Sequence, residues 1–92
     1  MSIPLITART AAFTSNAFTV YPGEGPRGFS AFGLAGAETV TLQRDDGSGA
    51  FVSLTDTDAI LTATAPRSSI LATGTYKLAK TATVGAAGAS ID

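Results

Sequence analysis

Glycine, proline and threonine return so often along this chain that no long run of good helix formers survives between them, so the fold has to be built from strands. Ten glycines and four prolines are spread through 92 residues. Each weakens a helix, glycine through backbone entropy and proline through its missing donor. Only Thr7 to Phe13 has the composition for a turn or two of helix. Elsewhere the apolar residues alternate with polar ones, as they do in half-buried strands.

The alternation is clearest over Glu38-Thr39-Val40-Thr41-Leu42-Gln43-Arg44, which places Val40 and Leu42 on one face. Asp45-Asp46-Gly47-Ser48-Gly49 follows with residues that accept turn geometry, and Ala50 to Leu54 resumes the apolar pattern, which predicts a β-hairpin. Ala59 to Ala65 reads as a strand stopped by Pro66, and Ser69 to Ala72 restarts it briefly. Thr75-Tyr76-Lys77-Leu78-Ala79-Lys80 alternates again, and Thr81 to Ile91 reads as a closing strand rich in Gly and Ala. Upstream, Ala17 to Tyr21 reads as a strand entering the turn at Pro22 to Gly28, with Phe29 to Leu34 as its partner.

The expected architecture is therefore all-β: one small sandwich or barrel of seven to eight short antiparallel strands. Val40, Leu42, Val52, Leu61, Tyr76 and Leu78 are its expected inward residues. Residues 1–15 stand apart from the single β domain of 16–92, because they contain no glycine and only Arg9 is charged. They read either as an N-terminal arm or as an ordinary first strand. As an arm, they would offer Ile3, Leu5, Ile6 and Phe13 to a neighbouring subunit.

Composition narrows the function. With no Cys and no His, disulfides, thiolate metal sites and the Ser-His and Cys-His nucleophile pairs are out of reach. No enzyme activity and no cofactor are expected. Asp56 and Asp58 would share a face of an extended segment, but acids beside Thr in a short connection ordinarily bond their own backbone. Asp45 and Asp46 read the same way. Gly23-Glu24-Gly25-Pro26-Arg27-Gly28 lacks the Lys-Ser/Thr ending of a phosphate loop and reads as a strand connection.

The six basic residues are scattered and the net charge is −1, which argues against a nucleic-acid partner. No window is apolar enough to span a membrane, and no basic segment precedes an apolar one at the N-terminus, so synthesis in the cytoplasm is expected. Charged residues make up only 14% of the chain, well below the ~25% of ordinary soluble domains. A domain of this length buries only about 63% of its unfolded surface. Both facts suit a subunit whose faces are covered by neighbours.

From Gly36 onward the chain resembles small virion proteins of tailed bacteriophages, in which a strand such as Glu38 to Gln43 leads through a Gly hairpin to an aromatic strand. Gly74-Thr75-Tyr76-Lys77-Leu78-Ala79-Lys80 carries the same likeness further on. The resemblance implies a capsid decoration, or cement, protein. Such a protein would be made in the host cytoplasm and bound as a homotrimer to the major capsid protein of the virion. A glycan-binding module of a tail fibre, and a tail-tube or head-completion subunit, are the alternative expectations.

Overall fold

The computed structural model describes residues 3–21, 27–55, 57–70 and 73–91. Its strands are β1 (Ile3–Arg9), β2 (Phe13–Thr14), β3 (Phe18–Val20), β4 (Arg27–Phe32), β5 (Thr39–Asp45), β6 (Phe51–Ser53), β7 (Ile60–Thr62), β8 (Arg67–Ile70), β9 (Gly74–Lys80) and β10 (Ala87–Ile91). One 3₁₀ turn, Thr57–Ala59, precedes β7. The first sheet has the order β1-β10-β4-β8. In the second, β9 and β5 lie side by side at the centre. All the pairings are antiparallel.

Among the described residues ten strands occupy only eight lanes, which accounts for the difference from the seven or eight expected. The free edge of β9 is covered by β2 and β3 end to end, and the free edge of β5 by β7 and β6 in the same manner. Each outer lane is thus one strand with an interruption. In the first, Ser15 bridges the gap: its N–H donates to the Leu78 carbonyl at 2.8 Å, and its hydroxyl accepts from the Leu78 N–H at 2.9 Å. That hydroxyl also donates to the Asn16 carbonyl at 2.9 Å. In the second, the Leu54 N–H donates to the Leu42 carbonyl before the chain turns through Thr57–Ala59.

The period-two residues meet between the sheets. Val40, Leu61 and Leu78 are closed to solvent, and Leu42 and Tyr76 nearly so. Opposite them stand Ile6, Phe29, Ala31, Ala89 and Ile91 of the first sheet. The outer face of the second sheet is lined by Thr19, Thr39, Thr41, Thr62 and Thr75, β-branched residues that favour the pleat without adding charge. Lys80 belongs to the inward series of β9 and is buried, and its ammonium donates to the Ala11 and Thr81 carbonyls at 2.9 and 3.0 Å. It closes one end of the sandwich with hydrogen bonds rather than with a counter-charge.

Three expectations change, and one of two open readings applies to the described part of residues 1–15. Val52 is not an inward residue; it is 52% exposed, because it pairs with the exposed Arg44 where the sandwich has already ended. Thr7 to Phe13 holds no helix, since β1 pairs with β10 as far as Arg9 and β2 starts at Phe13. Residues Phe29 to Leu34 do not pair with Ala17 to Tyr21. Instead β3 joins β9 in one sheet, while β4 lies between β10 and β8 in the other. Alternation marks which side of a strand is buried but leaves its partner open, and Phe18 and Val20 approach the core from the side opposite Phe29 and Ala31. Finally, Ile3–Arg9 is a first strand of the sandwich.

Ser15 gives a direct test of the lane interruption. Ser15→Ala keeps the backbone bond but leaves the Leu78 N–H buried without its acceptor. It should lower the unfolding free energy by about 1–3 kcal/mol, measured as a shift in the urea midpoint.

Candidate interaction surface

The residues expected to form an arm are largely committed to their own domain. Ile6 is 1% exposed and sits in the core, while Leu5 and Phe13 are half-buried and pack against it. The Arg9 guanidinium lies 3.7 Å above the Phe13 ring and donates to the Thr7 hydroxyl and carbonyl, so this aromatic is covered from outside as well. Ile3 pairs with Ile91 through its backbone, and its side chain lies outside the described residues. Ile6 therefore has no surface to give to a neighbour. Removing residues 2–12 would withdraw a strand and a core side chain rather than detach an arm.

Asp45 and Asp46 serve a turn, as their sequence predicts. The Asp45 carboxylate accepts from the Gly47 and Gly49 N–H groups, and that of Asp46 accepts from the Ser48 N–H and hydroxyl at 2.9 and 2.6 Å. Gly47 and Gly49 have φ of 95° and 91°, the region that a side chain resists. Hydrogen bonding by Ser48 holds the Asp46 carboxyl below its ordinary 3.8. A lowered value favours the ionised form in the fold. Its contribution to the turn is thus complete above the ordinary value and fades as the pH falls through the lowered one. Asp58 is exposed in the 3₁₀ turn, and Asp56 lies outside the described residues, as do residues 22–26 of the glycine-rich connection. Among the described residues no three of His, Cys, Asp or Glu come together.

Two surface features are built with more care. The first is the outer face of the β1-β10-β4-β8 sheet. β10 is its second strand, and its Ala87 and Ala89 are closed to solvent against the core. Gly88 faces the other way, beneath Phe32 of β4, its direct cross-strand partner. A methyl group on Gly88 would meet the Ile6 carbonyl of β1 and come within 2.8 Å of the Phe32 ring. The ring therefore packs over a glycine and covers its backbone while remaining 53% exposed. Around it are Ser30 and Ser90, whose hydroxyls lie 3.4 Å apart, with Pro4, Ser69 and Arg67 beyond. Arg67 is the single charge that the paired strand residues bring to this face.

The second feature is the end of the sandwich below Lys80. Glu38 clasps two loops there, one carboxylate oxygen accepting from the Ala35 N–H and the other from the Val84 N–H, both at 2.8 Å. Between them is an open depression lined by Ala35, Ala37, Thr81, Ala82 and Val84. Val84 projects from it at 93% exposure, the highest of the large apolar side chains described. Neither Phe32 nor Val84 stood out in the sequence. Phe32 had a legible signal: it is three residues from Phe29, so one strand cannot turn both rings inward. Val84 had none, being one apolar residue in a Gly/Ala-rich run.

The close approach at Gly88 predicts a contrast between two nearby glycines. Gly88→Ala should cost about 1–3 kcal/mol by overpacking and displace the Phe32 ring. Gly85→Ala, where a methyl group meets nothing within 4 Å, should stay within about 0.5 kcal/mol of the parent. Thermal melts and ring-proton shifts read both effects.

Comparison with protein-family models, with characterised proteins and with solved structures finds no match for this chain.

Proposed function

We propose that this chain is a non-enzymatic structural subunit that binds the outside of an assembled shell, acting as a decoration protein of a phage virion. The observation that carries the reading is the outer face around Phe32. A half-exposed aromatic ring packs over Gly88, its cross-strand partner, amid small hydroxyl side chains and the Arg67 cation. Anchors of this kind, aromatic and already ordered, supply most of the energy in protein interfaces, and their surroundings mainly exclude water.

Dimensions and chemistry support the same reading. The molecule measures 37 × 28 × 22 Å, so its broad face projects roughly 1,000 Å², enough for the ~800 Å² per partner of a standard interface. Ser30 and Ser90 present hydroxyls that rotate to donate or accept, and Gly28 adds no side chain to the face. Such a face suits a broad protein surface, the major capsid protein in this proposal, better than a small ligand, which calls for a concave site. The resemblance of Gly36 onward to virion proteins gives the partner its identity within the proposal, and the homotrimer belongs to the same proposal.

Co-sedimentation with phage capsids that lack their decoration protein tests this. The parent chain should pellet with the shells and raise their disruption temperature, and Phe32→Ser should bind at least roughly tenfold more weakly. Equal binding by the folded variant would remove this face from the interface. A parent chain that stays in the supernatant would overturn the decoration reading.

A further inference from the structure

The hairpin tip between β5 and β6 sets a chemically labile pair side by side. Asp46-Gly47 is the one Asp-Gly pair of the sequence, which has no Asn-Gly pair. The turn needs a glycine at 47, since its φ of 95° lies where a side chain is resisted. It needs Asp46 as well, whose carboxylate accepts both bonds from Ser48. Yet the amide nitrogen of glycine, unhindered by a side chain, is the one best able to attack a preceding aspartyl carboxyl. Asp46, Gly47 and Ser48 are all exposed, so water reaches the tip.

In that attack the Gly47 nitrogen bonds to the Asp46 Cγ, while the carboxyl loses its hydroxyl and the nitrogen its proton, which leave together as water. Water then opens the succinimide at the Asp46 main-chain carbonyl, breaking its bond to the Gly47 nitrogen. The chain afterwards continues through the former side-chain carbon as an isoaspartyl linkage. Mass is unchanged, one methylene has entered the backbone, and the carboxylate that Ser48 held is rebuilt at the main-chain carbon.

Both reacting groups are engaged elsewhere in the folded turn. The Gly47 N–H donates to the Asp45 carboxylate at 2.9 Å, so removing its proton would set a nitrogen anion against an oxygen anion. The Asp46 Oδ1 accepts from the Ser48 hydroxyl at 2.6 Å and from the Ser48 N–H at 2.9 Å. Such bonds favour the ionised carboxylate, and an ionised carboxyl has no hydroxyl to lose. The Asp46 carboxyl is accordingly held below its ordinary 3.8, first by the Ser48 hydroxyl and then by its N–H. Asp45 is the titratable neighbour in this turn, and no charged group contributes to the lowering.

We infer that Asp45 and Ser48 guard the Asp46–Gly47 peptide against succinimide closure, Asp45 by holding the attacking nitrogen and Ser48 by holding the carboxyl it would attack. Both act as positioning residues. The inference concerns the chain's own chemistry and stands apart from what the chain binds.

Ageing the full chain in warm, near-neutral buffer tests it, with isoaspartate counted by enzymatic methylation and by peptide mass spectrometry. The folded parent should form isoaspartate at least roughly tenfold more slowly than the same chain in urea. Ser48→Ala and Asp45→Ala, shown to be folded by circular dichroism, should each form it at least roughly twofold faster than the parent. In urea they should match the parent, and Ser48→Thr should restore the parent's rate in the fold. The excess in Ser48→Ala should vanish in acid, once Asp46 is protonated in both chains. A merely loosened turn would keep its excess there, and that outcome would overturn the inference. Equal rates for the parent in buffer and in urea would overturn it too, as would either alanine variant ageing no faster than the parent.

Discussion

Leu78 faces Leu42 where β9 pairs with β5, and both are shut away from solvent between the two sheets. On its other side Leu78 is held by Ser15, which bonds its N–H and its carbonyl at once. The strand around it is therefore paired along both edges, and its inward residues Tyr76, Leu78 and Lys80 run from one end of the core to the other. β2, β3 and β5 take their register directly from this strand, and β6 and β7 take theirs through β5. Because a slip of one residue would turn each inward side chain to the opposite face, burial of Leu78 and Tyr76 fixes the whole second sheet. A change at Leu78 would consequently be felt far beyond its own contacts.

The first sheet obeys a different constraint, set by β10. There the residues are small because three things crowd the strand: the core on one side, the β1 backbone along one edge and the Phe32 ring over Gly88. A closing strand of Ala and Gly looks weak by propensity. Here it is what lets β1 and β4 close around it, with Ala87 and Ala89 filling the inner side completely.

These two regimes explain what was legible in the sequence. Where burial follows alternation, as in β5 and β9, strand, face and turn could all be read from residue order, and Val40, Leu42, Leu61, Tyr76 and Leu78 lie where their spacing places them. Val52 follows the same alternation, yet the sandwich ends before it, and the extent of a sheet is a tertiary property that no local pattern contains. Strand partners were illegible for the same reason, as β3 and β4 show by joining different sheets. The surface features were harder still. The Glu38 clasp joins residues 46 positions apart, and the exposure of Val84 follows from that clasp rather than from anything adjacent to it.

The edges of the sheets bear on how such a domain can meet another chain. Exposed edge strands invite pairing with another chain. Here β1 carries Pro4 and two register shifts, β8 is only four residues long, and the two outer lanes of the second sheet are each broken in the middle. Among the described residues, none of the four edges offers a long, regular row of donors and acceptors. Strand addition is thus disfavoured at every edge, and a chain too poor in charge to repel its neighbours is protected from indiscriminate ladder growth. What remains for recognition are side-chain surfaces, whose fit depends on particular residues rather than on the backbone common to all strands. Under the structural role proposed above, a subunit joined in one geometry would gain specificity from that division, because the Phe32 ring packs over Gly88 and the Val84 backbone is bonded to Glu38 within the single domain.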